Sequence, residues 1–188
     1  LATLRPAAGR ELMIVVTADH GEALGEHDRW GHRNSVDEVE TRVPLFVRAP
    51  RLAPGLVEAP TSLGIVDGLV AEAAGIGSSS RRPAVEDAGI LIEHRPGPQG
   101  RLPSSYPRGD LAALVSWPFK YVEGPETGAA LYDLSNDPGE ATNLSASQPE
   151  VAVRMAQRLK ALGALPSERA PRTAPGAVER LRALGYVR

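Results

Sequence analysis

The chain has 188 residues, 42% apolar and 23% charged, so it can bury a core and is not expected to be disordered at large. Its net charge is −2, which leaves no positive excess for non-specific binding to nucleic acid. It contains no cysteine, which excludes disulfides, thiolate metal ligands and a cysteine nucleophile within this chain. It has no run of about 18 apolar residues, so we expect no membrane segment.

Apolar runs predict the elements of the first part of the chain. The unbroken run at residues 12–17 predicts a strand that is covered on both faces, as in the centre of a mostly parallel sheet. A second strand is predicted at residues 43–48. Apolar residues at helical spacing predict a helix over residues 61–76, which Gly75 would end.

The rest of the chain predicts a small antiparallel sheet and a helix. A short strand at residues 89–93 interrupts a long loop region. Three strands with short connections follow, at residues 111–117, 119–122 and 129–134. Residues 147–150 have the pattern of a capping box, which predicts a helix whose apolar face carries Val151, Met155, Leu159 and Leu162. These elements predict an α/β fold, with part of a mixed sheet flanked by helices over residues 1–104 and a small antiparallel sheet with a packed helix over residues 105–188.

Reactive side chains concentrate directly after the first predicted strand. Three of the four histidines lie within residues 17–32, together with several carboxylates. Asp19 and His20 come just after the strand, where loops of α/β sheets bind ligands. A carboxylate and a neutral imidazole both ligate divalent cations, so this pair is a candidate metal site. The alternative interpretation is an ordinary turn, in which Asp19 accepts backbone N–H bonds and Gly21 tolerates positive φ; for His27 and His32 taken singly it is a solvated loop histidine.

Further motifs extend this cluster along the chain. Asp19-His20-Gly21-Glu22 and His32 are followed by Arg-Val-Pro-Leu at residues 42–45 and by Leu-Tyr-Asp-Leu-Ser-Asn-Asp-Pro-Gly-Glu-Ala-Thr-Asn-Leu at residues 131–144. In this order the motifs resemble the C-terminal part of the sulfatase family, in the alkaline phosphatase superfamily. The resemblance implies an alkaline-phosphatase-like fold and a metal-dependent hydrolase of sulfate esters.

The resemblance also implies roles for individual residues. Asp19 and His20 match the positions that bind the active-site cation, expected to be calcium, with manganese or zinc as alternatives because imidazole suits them. His32 matches the residue that contacts the sulfate and protonates the leaving alcohol, a task that suits an imidazole. No role is assigned to His27, and Glu22 is expected to be structural.

Three other features are expected to have no part in catalysis. Residues 131–144 should form a turn with inward-packing leucines, because Asp-Pro-Gly is a strong turn signal. Lys120 is expected to be a solvated or packing lysine. His94 is expected to lie on the surface, although a position facing the substrate is left open.

The family's nucleophile is a formylglycine, which is made from Cys or Ser in a Cys/Ser-x-Pro/Ala-x-Arg motif of the N-terminal half, where an Asp-Asp metal pair also lies. No such motif precedes Asp19 in this chain. Asp19 and His20 also supply only two ligands, whereas zinc takes about four and calcium about six to eight. We therefore expect a C-terminal part that binds metal weakly by itself, is inactive alone and needs the N-terminal half of the same protein as its partner.

The substrate is expected to be a small-molecule or carbohydrate sulfate ester. Two alternatives stay open from the sequence. One is a phosphonate monoester or phosphodiester hydrolase of the same superfamily, and the other is a non-catalytic module that has kept the fold.

Overall fold

The computed structural model describes residues 11–32, 35–50, 52–76, 89–95, 109–125 and 128–163. Its elements are, in chain order, β1 (Ile14–Thr17), β2 (Ala23–Leu24), β3 (Trp30–Gly31), α1 (Glu38–Thr41), β4 (Leu45–Arg48), α2 (Val66–Ala74), β5 (Ile90–His94), β6 (Leu111–Ser116), β7 (Phe119–Gly124), β8 (Gly128–Asp133) and α3 (Pro149–Ala161). Short 3-10 turns at Glu26–Asp28 and Leu63–Ile65 precede β3 and α2. Across these ranges, no helix has the length and apolar character needed to cross a membrane.

The strands predicted at residues 12–17 and 43–48 both form, as β1 and β4. They pair antiparallel with each other, Val16 lying opposite Phe46. The expectation of a strand covered on both faces in a mostly parallel sheet is not met, since Val16 is 42% exposed and Phe46 65% exposed. An apolar run indicates how much surface should be covered, but it does not specify the direction or identity of the neighbouring strand.

The largest sheet has four antiparallel strands in the order β5-β6-β7-β8. The three strands predicted after residue 110 are confirmed, and their short connections account for the antiparallel pairing. The strand predicted at residues 89–93 also forms, as β5, and it pairs with β6. This sheet therefore includes residues on both sides of the boundary predicted at residue 104.

Strand β6 is buried on both faces, as its unbroken apolar run favours. One face of the sheet packs against α3, and the buried members of this core are Ala112, Leu114, Tyr121, Leu131, Ala152, Met155 and Leu159. On the opposite face, Val36 packs in a second buried cluster with Leu111 and Ala113. The sheet thus holds α3 on one face and the segment that leads into α1 on the other.

The ends of α2 and α3 match the predictions from the sequence only in part. Gly75 ends α2 in a left-handed conformation with φ 69°, as predicted. The capping box predicted at residues 147–150 is wrong, because the residue before α3 is Gln148 and its side chain makes no capping bond. Ser147 instead donates from Oγ to the carbonyl of Leu144 at 3.2 Å, which closes the turn before the helix.

The segment 131–144 has the structural character that was expected of it. Asp137 accepts two backbone N–H bonds at 3.1 and 2.8 Å, and Asn143 accepts the N–H of Leu131 at 3.1 Å. Asp133 accepts the hydroxyl of Ser135 at 2.6 Å, and this bond lowers the pKa of Asp133. The polar side chains of this segment therefore accept hydrogen bonds from the backbone of the turn, and the turn returns the chain toward α3.

Leu159→Ala is expected to lower the free energy of unfolding by about 2–5 kcal/mol, because Leu159 is 3% exposed and its truncation leaves a cavity against the sheet. Leu162→Ala is the matched control, with an expected change of about 0.5 kcal/mol or less. The sequence placed both leucines on one face, but α3 ends at Ala161 and Leu162 is 41% exposed. Urea unfolding followed by circular dichroism measures both; equal losses in the two variants would contradict this packing.

Candidate active site

Gly21 determines where the loop after β1 lies. Its N–H donates to the carbonyl of Glu40 in α1 at 2.8 Å. A Cβ built on Gly21 would lie 2.1 Å from the carbonyl oxygen of Val39. Any larger residue would therefore collide with the backbone of α1, which cannot move aside as a flexible side chain does. The contact with α1 thus sets the position of Asp19 and His20, which directly precede Gly21.

The ring of His20 has a defined tautomer. Its Nδ1 lies 3.0 Å from the Gly21 carbonyl oxygen, which can only accept, so Nδ1 carries the proton. In the neutral ring Nε2 then holds the lone pair, and this atom lies 3.8 Å from Oδ1 of Asp19. Two atoms that each bind one cation at about 2.0–2.4 Å can stand this far apart, so the donors fit a shared divalent ion. The Asp19 side chain is 91% exposed and that of His20 42%, so both are accessible.

His32 lies against the ring of His20. The two ring centroids are 3.9 Å apart and the ring planes are inclined by 29°. Nδ1 of His32 lies 3.0 Å from Oε1 of Glu22, so the carboxylate accepts the Nδ1–H and leaves Nε2 for another partner. The structure therefore brings Asp19, His20 and His32 into one contiguous group, with Glu22 orienting the outer ring.

The pairing of Glu22 with His32 was missed in the sequence, where Glu22 was given only a general structural role. The signal was a short hairpin, in which β2 pairs antiparallel with β3 and Ala23 lies opposite Gly31. Continuing that register by one residue on each strand places Glu22 opposite His32. Recognition of the hairpin would have been sufficient to predict the contact.

His27 lies at the turn of this hairpin and is exposed. His27 and Asp28 both adopt positive φ, of 52° and 58°. The turn is fastened by the N–H of Leu24, which donates to Glu26 at 2.6 Å and lowers the pKa of the Glu26 carboxyl. His27 is therefore a suitable control residue for substitutions of His20 and His32.

Lys120 is a packing lysine of β7, and its side chain is buried against the segment leading into α1. Its side chain is fully buried, and Nζ donates to the Val36 carbonyl at 2.6 Å and to Oε1 of Glu38 at 2.9 Å. Nζ also lies 2.9 Å from Oε1 of Glu140. Burial raises the pKa of Glu140, and the charge of Lys120 works against that rise. We call Lys120, Glu38 and Glu140 the buried ion-pair cluster.

The expectation that His94 is a surface residue is wrong. His94 is half-buried at the end of β5, and in the described part of the chain its buried Nε2 has no hydrogen-bond partner. Burial lowers the pKa of His94, while the nearby carboxylates of Glu40 and Asp110 act in the opposite direction. An alternating strand with one covered face hides every second residue, and β5 has that pattern.

The lowered pKa of His94 predicts an acid-dependent loss of stability. The unfolded chain takes up a proton at His94 near pH 6.5, whereas the folded chain does so only at lower pH, so stability falls as the pH drops below about 6.5. Unfolding free energies at pH 7.5 and 5.5 test this. The decrease should be smaller in His94→Asn than in the unmodified chain, with His27→Asn as control; an unchanged decrease in His94→Asn would contradict the assignment.

In the ranges that the structure describes, no group of three or more His, Cys, Asp or Glu side chains is arranged to hold a metal ion. Asp19 and His20 therefore supply two ligands of a candidate site, and a cation that takes four or more needs others.

No family model matches the sequence. The choline-sulfatase of Rhizobium meliloti (strain 1021) is 31% identical over 140 residues, which make up 72% of this chain and 27% of that protein. The chain belongs to the sulfatase family. A second member, arylsulfatase K of Rattus norvegicus, is 25% identical over 169 residues, or 81% of this chain and 30% of that protein.

Among solved structures, the phosphonate monoester hydrolase of Agrobacterium radiobacter matches with a TM-score of 0.61 at 26% identity, over 81% of this chain and 35% of that one. The predicted fold class, an alkaline-phosphatase-like α/β arrangement with a small antiparallel sheet and helix, is confirmed. This sulfatase-family chain spans about a third or less of the length of the two curated relatives.

Proposed function

We propose that this chain carries the cation-binding and proton-donating side chains of a hydrolase that acts on sulfate esters. The observation that carries the proposal is the contiguous group of Asp19, His20 and His32, in which the His20 and His32 rings stack at 3.9 Å. A small-molecule or carbohydrate sulfate ester is the proposed substrate class, supported by the similarity to a choline-sulfatase.

Each residue has a defined task in this proposal. Asp19 Oδ1 and His20 Nε2 hold a divalent cation, calcium or else manganese or zinc, which when bound offsets the negative charge of the ester oxygens. His32 donates a proton from Nε2 to the leaving alcohol oxygen. Glu22 accepts the Nδ1–H of His32, which fixes the orientation of the ring. The formylglycine nucleophile and the other cation ligands are proposed to come from an N-terminal half.

A second candidate is the hydrolysis of a phosphonate monoester or a phosphodiester. It is supported by the likeness to the phosphonate monoester hydrolase, which has a TM-score of 0.61. A tetrahedral phosphorus centre presents the same arrangement of charged oxygens to Asp19, His20 and His32, so these residues would keep their tasks.

The test is hydrolysis of 4-nitrophenyl sulfate and of a 4-nitrophenyl phosphonate monoester by the complete natively encoded protein, with Ca²⁺ or Mn²⁺ supplied. Faster turnover of the sulfate ester is expected. His32→Gln should lower kcat on the sulfate ester by about 10²–10⁴-fold, the usual contribution of a general acid, and His27→Gln should leave it within twofold. Faster turnover of the phosphonate would favour the second candidate, and no turnover of either would favour the non-catalytic module.

A further inference from the structure

We propose that Lys120 and Glu140 are positioning residues for His20, although they lie 100 and 120 positions further along the chain. The buried ion-pair cluster holds α1 in place, and α1 in turn holds the backbone of Gly21, whose carbonyl orients the His20 ring. This inference rests on the proposed function of His20 as a cation ligand.

The cluster fastens the start of α1 to the sheet. Glu140 accepts the backbone N–H of Glu38, the first residue of α1, through Oε2 at 2.6 Å, and its Oε1 lies 2.9 Å from Nζ of Lys120. Lys120 also reaches the Glu38 carboxylate at 2.9 Å. Glu140 adopts a positive φ of 55°, a conformation that a non-glycine residue keeps only where the surroundings hold it. The side chains of Lys120 and Glu140 are 0% and 3% exposed, so water does not screen the attraction between their charges.

The residues around this junction leave α1 little freedom. Val36, two residues before α1, is 2% exposed and packs with Leu111 and Ala113 on the sheet. Asp37, directly before α1, forms an ion pair with Arg29 of the β2–β3 loop. The four-residue helix α1 is therefore the connection between the sheet and the loop that carries the site.

The other end of α1 sets the position of the Gly21 backbone. The Gly21 N–H is bonded to the Glu40 carbonyl at 2.8 Å, and the Val39 carbonyl lies where a Cβ of Gly21 would be. Movement of α1 would therefore displace the Cα of Gly21, and with it the Gly21–Glu22 peptide that carries the Gly21 carbonyl. The Gly21 carbonyl accepts the Nδ1–H of His20 and so keeps the lone pair on Nε2, 3.8 Å from Asp19. A partner of this kind at the second ring nitrogen is what fixes the tautomer of metal-binding histidines.

Glu140→Gln tests the inference in the full chain, with Glu123→Gln, at an exposed position of β7, as the matched control. The amide retains an oxygen for the Glu38 N–H but removes the charge that pairs with Lys120. Long-range ¹H–¹⁵N NMR reports the His20 tautomer without metal or activity, and Mn²⁺ titration reports affinity. We expect loss of the single Nδ1–H tautomer and about 10–100-fold weaker Mn²⁺ binding in Glu140→Gln, and no change in Glu123→Gln.

An unchanged tautomer together with Mn²⁺ affinity within twofold in folded Glu140→Gln would overturn the inference. If that variant does not fold, Glu38→Gln removes a carboxylate from the same cluster at a partly solvated position and must give the same two changes. Absence of Mn²⁺ binding in the unmodified chain would count against the proposed function alone, because the tautomer measurement would still decide whether Glu140 positions His20.

Discussion

Gly21→Ala is expected to destabilise the folded chain by about 1–3 kcal/mol or more and to remove cation binding at Asp19 and His20. The added methyl carbon would lie 2.1 Å from the Val39 carbonyl oxygen, so either the loop or α1 must move. Movement of the loop also breaks the bond from the Gly21 N–H to the Glu40 carbonyl. Urea unfolding and Mn²⁺ titration measure the two effects.

Gly139→Ala is the matched control for this substitution, since a Cβ at Gly139 would meet no atom within 4 Å. Its free energy of unfolding should stay within about 0.5 kcal/mol of the unmodified chain. Unaltered stability and Mn²⁺ affinity in Gly21→Ala would show that the loop does not depend on close contact with α1.

The second large effect is expected from Lys120→Met, which should lower the free energy of unfolding by about 3–5 kcal/mol. Removal of the ammonium leaves the carboxylate of Glu140 buried without its cation, the most costly way to break a buried ion pair. The hydrocarbon stem is largely preserved by Met, so lost packing contributes little. Chemical unfolding of the full chain, monitored by circular dichroism, gives the difference.

Lys160→Met provides the comparison, because Lys160 is the other lysine of the chain and is exposed on α3. Its substitution should change stability by about 0.5 kcal/mol or less. Similar losses for the two lysines would mean that the buried ion-pair cluster adds nothing beyond an ordinary surface charge.

Local pattern was sufficient for most elements of the fold. Short connections after Leu111 imposed antiparallel pairing on β6, β7 and β8. Gly75 marked the end of α2 because the residue after the helix adopts a left-handed backbone conformation, which glycine favours. The unbroken apolar run of β6 corresponded to burial on both faces. The same pattern did not predict the surroundings of β1, because its neighbours are set by tertiary structure.

Contacts between distant residues were beyond the reach of sequence patterns. Lys120 meets Glu38 and Val36 from 82 and 84 positions away, and nothing local to any of these residues indicates the pairing. The Asp19–His20 pair was found because both residues are adjacent to each other and to the end of a strand. Glu22 was missed because its partner depends on hairpin register.

Paramagnetic broadening by Mn²⁺ in the histidine NMR spectrum of the full chain tests most directly whether Asp19 and His20 bind one cation. Substoichiometric Mn²⁺ is predicted to broaden the imidazole signals of His20 and of the stacked His32 before those of His27 and His94, and Asp19→Asn should suppress this selectivity. Broadening that is equal at all four histidines, or that persists unchanged in Asp19→Asn, would contradict the assignment of this pair as the cation site.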